Sequence, residues 1–216
     1  MTGNANDEPA LVAIYADESC LGNGREGSNP GGAAGVIEYW NPKSGRLRRF
    51  DYWISEPATT NNRMALRSVI EAFQIIGRKG AKFCVVFTTD SQYLVRGMSD
   101  WVHGWNARGW RRKGGTIENL ELWRAAVSEA YPHRVQWRWV RGHAGHPQNE
   151  YANCLAVRAA RQQTKSDGAV PSGFDEWLIG ERDLGRVSVE PDPFPVARTF
   201  KPARPLPLVT KTSLTS

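Results

Sequence analysis

The chain has 216 residues, 40% hydrophobic and 23% charged, with a formal net charge of +6. That suits one soluble domain with some extension. No apolar run approaches the ~20 residues that a membrane span needs. The basic balance fits a polyanionic partner. Residues 168–216 hold six acids and six bases, so the surplus sits in residues 1–167. Three widely spaced cysteines, Cys20, Cys84 and Cys154, argue against a disulfide framework and fit a reducing, cytoplasmic compartment. Met1 to Pro9 is polar and acidic, unlike a secretory signal.

In chain order, the apolar run 11–16 predicts a buried strand ending at Asp17. The glycine-rich stretch Gly22 to Gly35 is expected to be a loop. Residues 36–40 and 46–54 read as two strands joined by the turn Asn41-Pro42-Lys43-Ser44-Gly45. Leu66, Val69, Ile70 and Phe73 recur at helical spacing, which predicts a helix over 61–76 closed by Gly77. A strand over 83–88 ends at Asp90, and short helices fill 91–108. A helix over 118–131, a strand over 134–140 and a helix over 148–162 follow. This order implies an α/β fold, a five-stranded mixed sheet with helices on both faces. Residues 1–9 form an N-terminal tail, 10–165 the domain, and 166–216 a proline-rich C-terminal extension. In the extension, Phe174 to Ile179 fits a helical turn that docks its aromatics. Beyond about Pro195 the composition favours extended, disordered chain, with a docking peptide for a protein partner as the sharper alternative.

Four segments, in order, carry a resemblance. They are Asp17-Glu18-Ser19-Cys20-Leu21-Gly22-Asn23, Thr59-Thr60-Asn61-Asn62-Arg63-Met64-Ala65-Leu66, Thr88-Thr89-Asp90-Ser91-Gln92-Tyr93 and Gly142-His143-Ala144-Gly145-His146-Pro147-Gln148-Asn149-Glu150. Together they resemble type 1 ribonuclease H over about residues 11–162. The resemblance implies Mg²⁺-dependent hydrolysis of RNA paired to DNA, by a monomer, at four carboxylates. Hard cations need such oxygen ligands, and two of them can activate water and stabilise a leaving oxygen.

Carried over position by position, the first-strand acid is Asp17 and the fourth-strand acid is Asp90. The helix glutamate falls on Ala65 and the last acid on Asn153, so the expected metal set is Asp17, Asp90 and Asn153. His143 matches the histidine that assists proton transfer or product release. A zinc site on His143 and His146 lacks two further ligands. Glu18 follows Asp17 on a strand, where successive side chains point to opposite faces, and it replaces a glycine that lies close to the hybrid. Glu150 shares a helix face with Asn153. Neither is expected to replace the lost acids.

The resemblance also implies hybrid contacts by Asn23, Thr60, Asn61, Asn62, Arg63 and Gln92. It assigns a basic protrusion that grips the DNA strand to Trp101, Arg108, Trp110, Arg111, Arg112 and Lys113. Trp105 is expected in the core. Gly104 departs from the family's phosphate-holding asparagine. The reading that follows is a hybrid-binding protein, a pseudoenzyme whose hydrolysis is severely impaired or absent and whose Mg²⁺ binding is weakened. Two alternatives stay open: an active Mg²⁺-dependent endonuclease with a rearranged metal site, and a structural subunit that docks partners through its tail.

Overall fold

A computed structural model describes residues 9–22 and 29–209. The strands are β1 (Leu11–Cys20), β2 (Gly31–Asn41), β3 (Arg46–Glu56), β4 (Cys84–Thr89), β5 (Arg134–Trp139) and β6 (Val170–Pro171). They form one mixed sheet in the order β5-β4-β1-β2-β3-β6. The expected five strands are all present, and the extension adds β6 antiparallel to β3. The helices are α1 (Asn61–Ile76), α2 (Gln92–Arg96), α3 (Val102–Ala107), α4 (Leu120–Ala130), α5 (Pro147–Gln162) and α6 (Phe174–Asp183). A π turn, Gly97–Trp101, joins α2 to α3.

The sheet divides two cores. Val12, Ile14 and Ala16 of β1 pack with Leu66, Val69 and Phe73 of α1 and with Trp123 and Val127 of α4. The alternate residues Ala13 and Tyr15 pack with Tyr151 and Leu155 of α5 and Phe174 and Leu178 of α6. The alternation of a strand buried on both faces therefore sorts the apolar side chains.

Two expectations need correction. Residues 31–35 are strand, not loop. Their glycines serve close approach: a Cβ on Gly32 would lie 2.2 Å from the Ala156 carbonyl oxygen of α5, and one on Gly35 would strike the Tyr52 ring. The chain beyond Pro195 is also not loose. The Ala203 amide donates to the Val135 carbonyl, the Lys201 amide donates to Gln136 Oε1, and Leu206 is buried in the α1-side core. This segment thus covers the outer edge of β5, where prolines need give no ladder donor.

The extension continues the domain instead of trailing from it. Arg49 of β3 donates to Glu38 Oε1 at 2.8 Å and to Asp175 Oδ1 of α6 at 2.7 Å, with its guanidinium over Phe174. Tyr151 Oη donates to Asp51 Oδ2 at 2.6 Å, and the same carboxylate accepts the Gly173 amide.

Candidate active site

The site forms where parallel β1 and β4 end. Their last paired residues are Ala16 and Thr89, so Asp17, Glu18 and Asp90 all lie past that pairing. On its other side β1 stays paired with β2 through Cys20. The pleat sends Asp17 toward the α5 side and Glu18 toward the α1 side. Past the end of the β1–β4 pairing the two carboxylates can meet over the sheet's end. They do: one oxygen each from Asp17, Glu18 and Asp90 lies within 4.8 Å of the others. The expectation that Glu18 points away from the site is therefore corrected. The pleat rule holds inside a sheet and does not bar convergence at its end.

Glu18 also fills a particular place. It lies between Ala16 and Cys20 on the α1-facing side of β1. Ala16 shares a core cluster with Ala65, and Cys20 packs against the cluster of Met64. Ala65 is 1% exposed and part of the core. Glu18 thus arrives from the strand on the side where Ala65 of α1 lies. An acidic pair closing the first strand, together with an alanine at the helix position, was the available sequence signal.

The electrostatics suit a cation. Burial, then the charge of Asp90, pushes the Asp17 carboxyl up to about 8, and the Glu18 amide opposes this by donating to Asp17 Oδ1 at 2.7 Å. Burial and the charges of Asp17 and Asp90 hold Glu18 well above the carboxylate range, with the Ser91 hydroxyl opposing. Asp90 is raised by burial and drawn back by backbone hydrogen bonding and by His143. Three crowded acids that resist ionising together are what a divalent cation would relieve. Their carboxylate oxygens are the donors that Mg²⁺ takes.

The third wall is the loop before α5. A Cβ on Gly142 would lie 2.1 Å from Asp90 Oδ2, so only glycine lets this loop close on the carboxylate. His143 follows in a left-handed conformation (φ 51°) with its ring exposed. Glu150 holds the loop: Oε1 accepts the Gly145 amide at 3.3 Å, and Oε2 lies 3.9 Å from His143 Nδ1. Asn149 Nδ2 donates to the Ala16 carbonyl, tying α5 to β1 beside Asp17. Asn153, one turn beyond Asn149, lines a polar crevice of about 450 Å³ with His143, Glu150, Trp177 and Arg186. The structure thus gives Glu150 a positioning task that its sequence spacing only suggested.

The expected binding face is assembled in part. Thr60 caps α1 and accepts from the Arg63 amide. Among the described residues Asn61 Oδ1 is buried without a hydrogen-bond partner, Asn62 is half-buried, and Arg63 reaches Glu56 at 3.6 Å. Gln92 is exposed at the start of α2, whereas Asn23 lies outside the described residues. Trp101, 37% exposed, joins Tyr93, Trp105 and Arg112 around a crevice of about 340 Å³. Arg108, Arg111, Arg112 and Lys113 are exposed, and the Arg108 Nε donates to the Arg111 carbonyl.

Trp110 corrects the sequence reading. It is 5% exposed, packs in the main core and lies under Arg124, with 5.7 Å from the guanidinium carbon to the ring centroid. Left-handed backbone at Gly109 and Trp110 turns the ring inward, so it offers no stacking face to nucleic acid. Trp105, half-buried against the same core, lies where expected.

Comparison with known proteins agrees with this geometry. The family model described as RNase H matches residues 9–161. Ribonuclease H of Aromatoleum aromaticum is 41% identical over 160 residues, covering 74% of this chain and 96% of the relative. Ribonuclease HI of Caulobacter vibrioides is 40% identical over 153 residues, covering 70% and 93%. The crystal structure of LC9-RNase H1, described as a type 1 RNase H with the type 2 active-site motif, is 60% identical with a TM-score of 0.86. That match covers 94% of this chain and 96% of the other, so it extends into the C-terminal extension. With a family model matched over most of its length and relatives near 40% identity, the chain belongs to the ribonuclease H family.

Proposed function

We propose that this protein is an active endonuclease that hydrolyses the RNA strand of RNA/DNA hybrids at a Mg²⁺ site made by Asp17, Glu18 and Asp90, with Asn153 alongside. The observation that carries the reading is the convergence of Glu18 with the two aspartates. The family glutamate has in effect moved from α1 to β1. The pseudoenzyme reading rests on Ala65, Asn153, Glu18 and Gly104 together, and the convergence of Glu18 with the aspartates weighs against it. LC9-RNase H1, described as a type 1 RNase H with the type 2 active-site motif, supports a site that departs from the type 1 pattern.

When bound, Mg²⁺ would activate a water and stabilise the leaving oxygen. The chain's own residues do the rest. Asp17, Glu18 and Asp90 hold positive charge at the sheet's end. Asn153 adds a neutral oxygen. His143, exposed on its glycine-flanked loop, is placed to accept or donate a proton near Asp90. The exposed Trp101, with Arg108, Arg111, Arg112 and Lys113, offers a stacking face and phosphate neutralisation for the DNA strand.

The test is turnover. Purified protein should cleave the RNA of a hybrid in Mg²⁺, leave it intact in EDTA, and spare the same sequence as duplex DNA. Binding of hybrid without cleavage, across Mg²⁺ concentrations, would return the pseudoenzyme reading. The subunit reading loses ground because residues 201–206 already pack along β5 of the same chain.

A further inference from the structure

Asp192 lies in the C-terminal extension, beyond the span that the family model matches, yet it meets the catalytic framework at four points. Its carboxylate Oδ2 accepts from Arg138 Nη2 of β5 and lies 3.2 Å from His146 Nε2, a buried nitrogen that makes no aligned hydrogen bond among the described residues. Its backbone amide donates to Gln148 Oε1 at 3.1 Å, and its carbonyl accepts from Gln148 Nε2 at 2.9 Å. Gln148 is fully buried, so these two bonds replace water that cannot enter.

His146 is the other half of the device. It caps α5, its Nδ1 accepting the Asn149 amide at 3.4 Å. A neutral ring that accepts at Nδ1 carries its proton on Nε2, the nitrogen that faces Asp192. The nearby negative charge favours a proton on that nitrogen, and so the tautomer that can cap the helix. The ring also packs against Tyr15, 5.6 Å away between centroids, over which the Arg138 guanidinium lies.

From that cap the chain leads directly to the centre. Asn149 ties α5 to the Ala16 carbonyl beside Asp17, and Glu150 holds the Gly145 amide of the His143 loop. We propose that Asp192 is a positioning residue of the nuclease: it fixes the His146 tautomer and the first turn of α5, and through them the His143 loop and the Asp17 end of β1. The inference rests on the nuclease reading above. It makes the extension part of the active-site scaffold.

The experiment compares Asp192→Ala, Asp192→Asn and Leu206→Ala in the full chain. Leu206→Ala removes apolar packing from the same extension, away from the site. Three readouts are taken: kcat and KM on hybrid, Tm, and the His146 tautomer by long-range ¹⁵N NMR. Asp192→Ala should lower kcat about 10–100-fold, the usual cost of losing such a partner, with KM within about threefold. It should also erase the Nε2–H tautomer preference. Asp192→Asn, which keeps one acceptor oxygen, should fall between Asp192→Ala and the parent. Leu206→Ala should lower Tm and leave kcat within about twofold.

Full kcat in both Asp192 variants, or an unchanged tautomer in Asp192→Ala, overturns the proposal. So does an equal loss of kcat in Leu206→Ala at matched loss of Tm. If the parent protein itself fails to cleave, the nuclease reading falls separately. NMR still decides the link: shifted Gly145 and Asn149 amides in Asp192→Ala uphold it, and unshifted ones sink it.

Discussion

Replacing Asp17 with asparagine should stabilise the metal-free protein at neutral pH while destroying its activity. Folding raises the Asp17 pKa to about 8, from roughly 3.9 in an unfolded chain. Below about pH 4 both states hold the proton, and the group contributes nothing. As pH rises toward 8, the unfolded chain releases its proton while the folded one resists, so the folded state is progressively penalised. Above about pH 8 the penalty is complete.

One proton costs about 1.4 kcal/mol per pH unit across that window, which sets a ceiling of about 6 kcal/mol. Glu18 and Asp90 share the repulsion and relax when one charge goes, so we expect a gain of about 2–3 kcal/mol. Asparagine keeps an acceptor oxygen for the Glu18 amide, so that bond survives. At about 2–4 °C per kcal/mol for a chain of this size, Tm at pH 8 in EDTA should rise by about 5–10 °C. The assay is thermal unfolding of both proteins in EDTA from pH 4 to 9, repeated with Mg²⁺. The difference should vanish near pH 4 and shrink when Mg²⁺ is added. An equal or lower Tm for Asp17→Asn at pH 8, or the same gain at every pH, would refute the electrostatic account.

Trp110→Ala should cost about 3–5 kcal/mol of stability, as a buried aromatic does, whereas Trp101→Ala should barely move Tm and should weaken hybrid binding by about 1–3 kcal/mol; urea titration and fluorescence anisotropy separate the two. Gly142→Ala places a methyl 2.1 Å from Asp90 Oδ2, so kcat should drop at least about tenfold, checked by hybrid turnover alongside Mg²⁺ titration. Replacing Arg111, Arg112 and Lys113 together by alanine should weaken hybrid affinity and flatten its dependence on log salt by about 0.9 for each phosphate no longer neutralised, measured between about 50 and 200 mM salt.

Much of this is legible in the sequence, and the exceptions share a cause. Strand β1, helix α1 and the acids Asp17 and Asp90 follow from local periodicity and motif order. Residues 31–35 do not, because glycine there answers the close passage of α5, about 125 residues away in the chain. The pleat of a strand interior turns Glu18 away from Asp17, but its position beyond the Ala16–Thr89 pair changes what its carboxylate can reach. Trp110 sits among basic residues and resembles a stacking platform, yet the left-handed turn at Gly109 places it in the core. The prolines of the extension suggest disorder, although its anchors, Arg49, Gln136 and Gln148, lie far back in the chain.

The central claim is that Glu18 does the work the α1 position no longer can. The direct measurement is hybrid hydrolysis in saturating Mg²⁺ by Glu18→Gln beside the parent protein. The side chain keeps its size and loses only its charge. The account predicts brisk cleavage by the parent and a fall in kcat of at least about 100-fold in the variant, about 2.7 kcal/mol of barrier. Parent-like turnover by Glu18→Gln would contradict it.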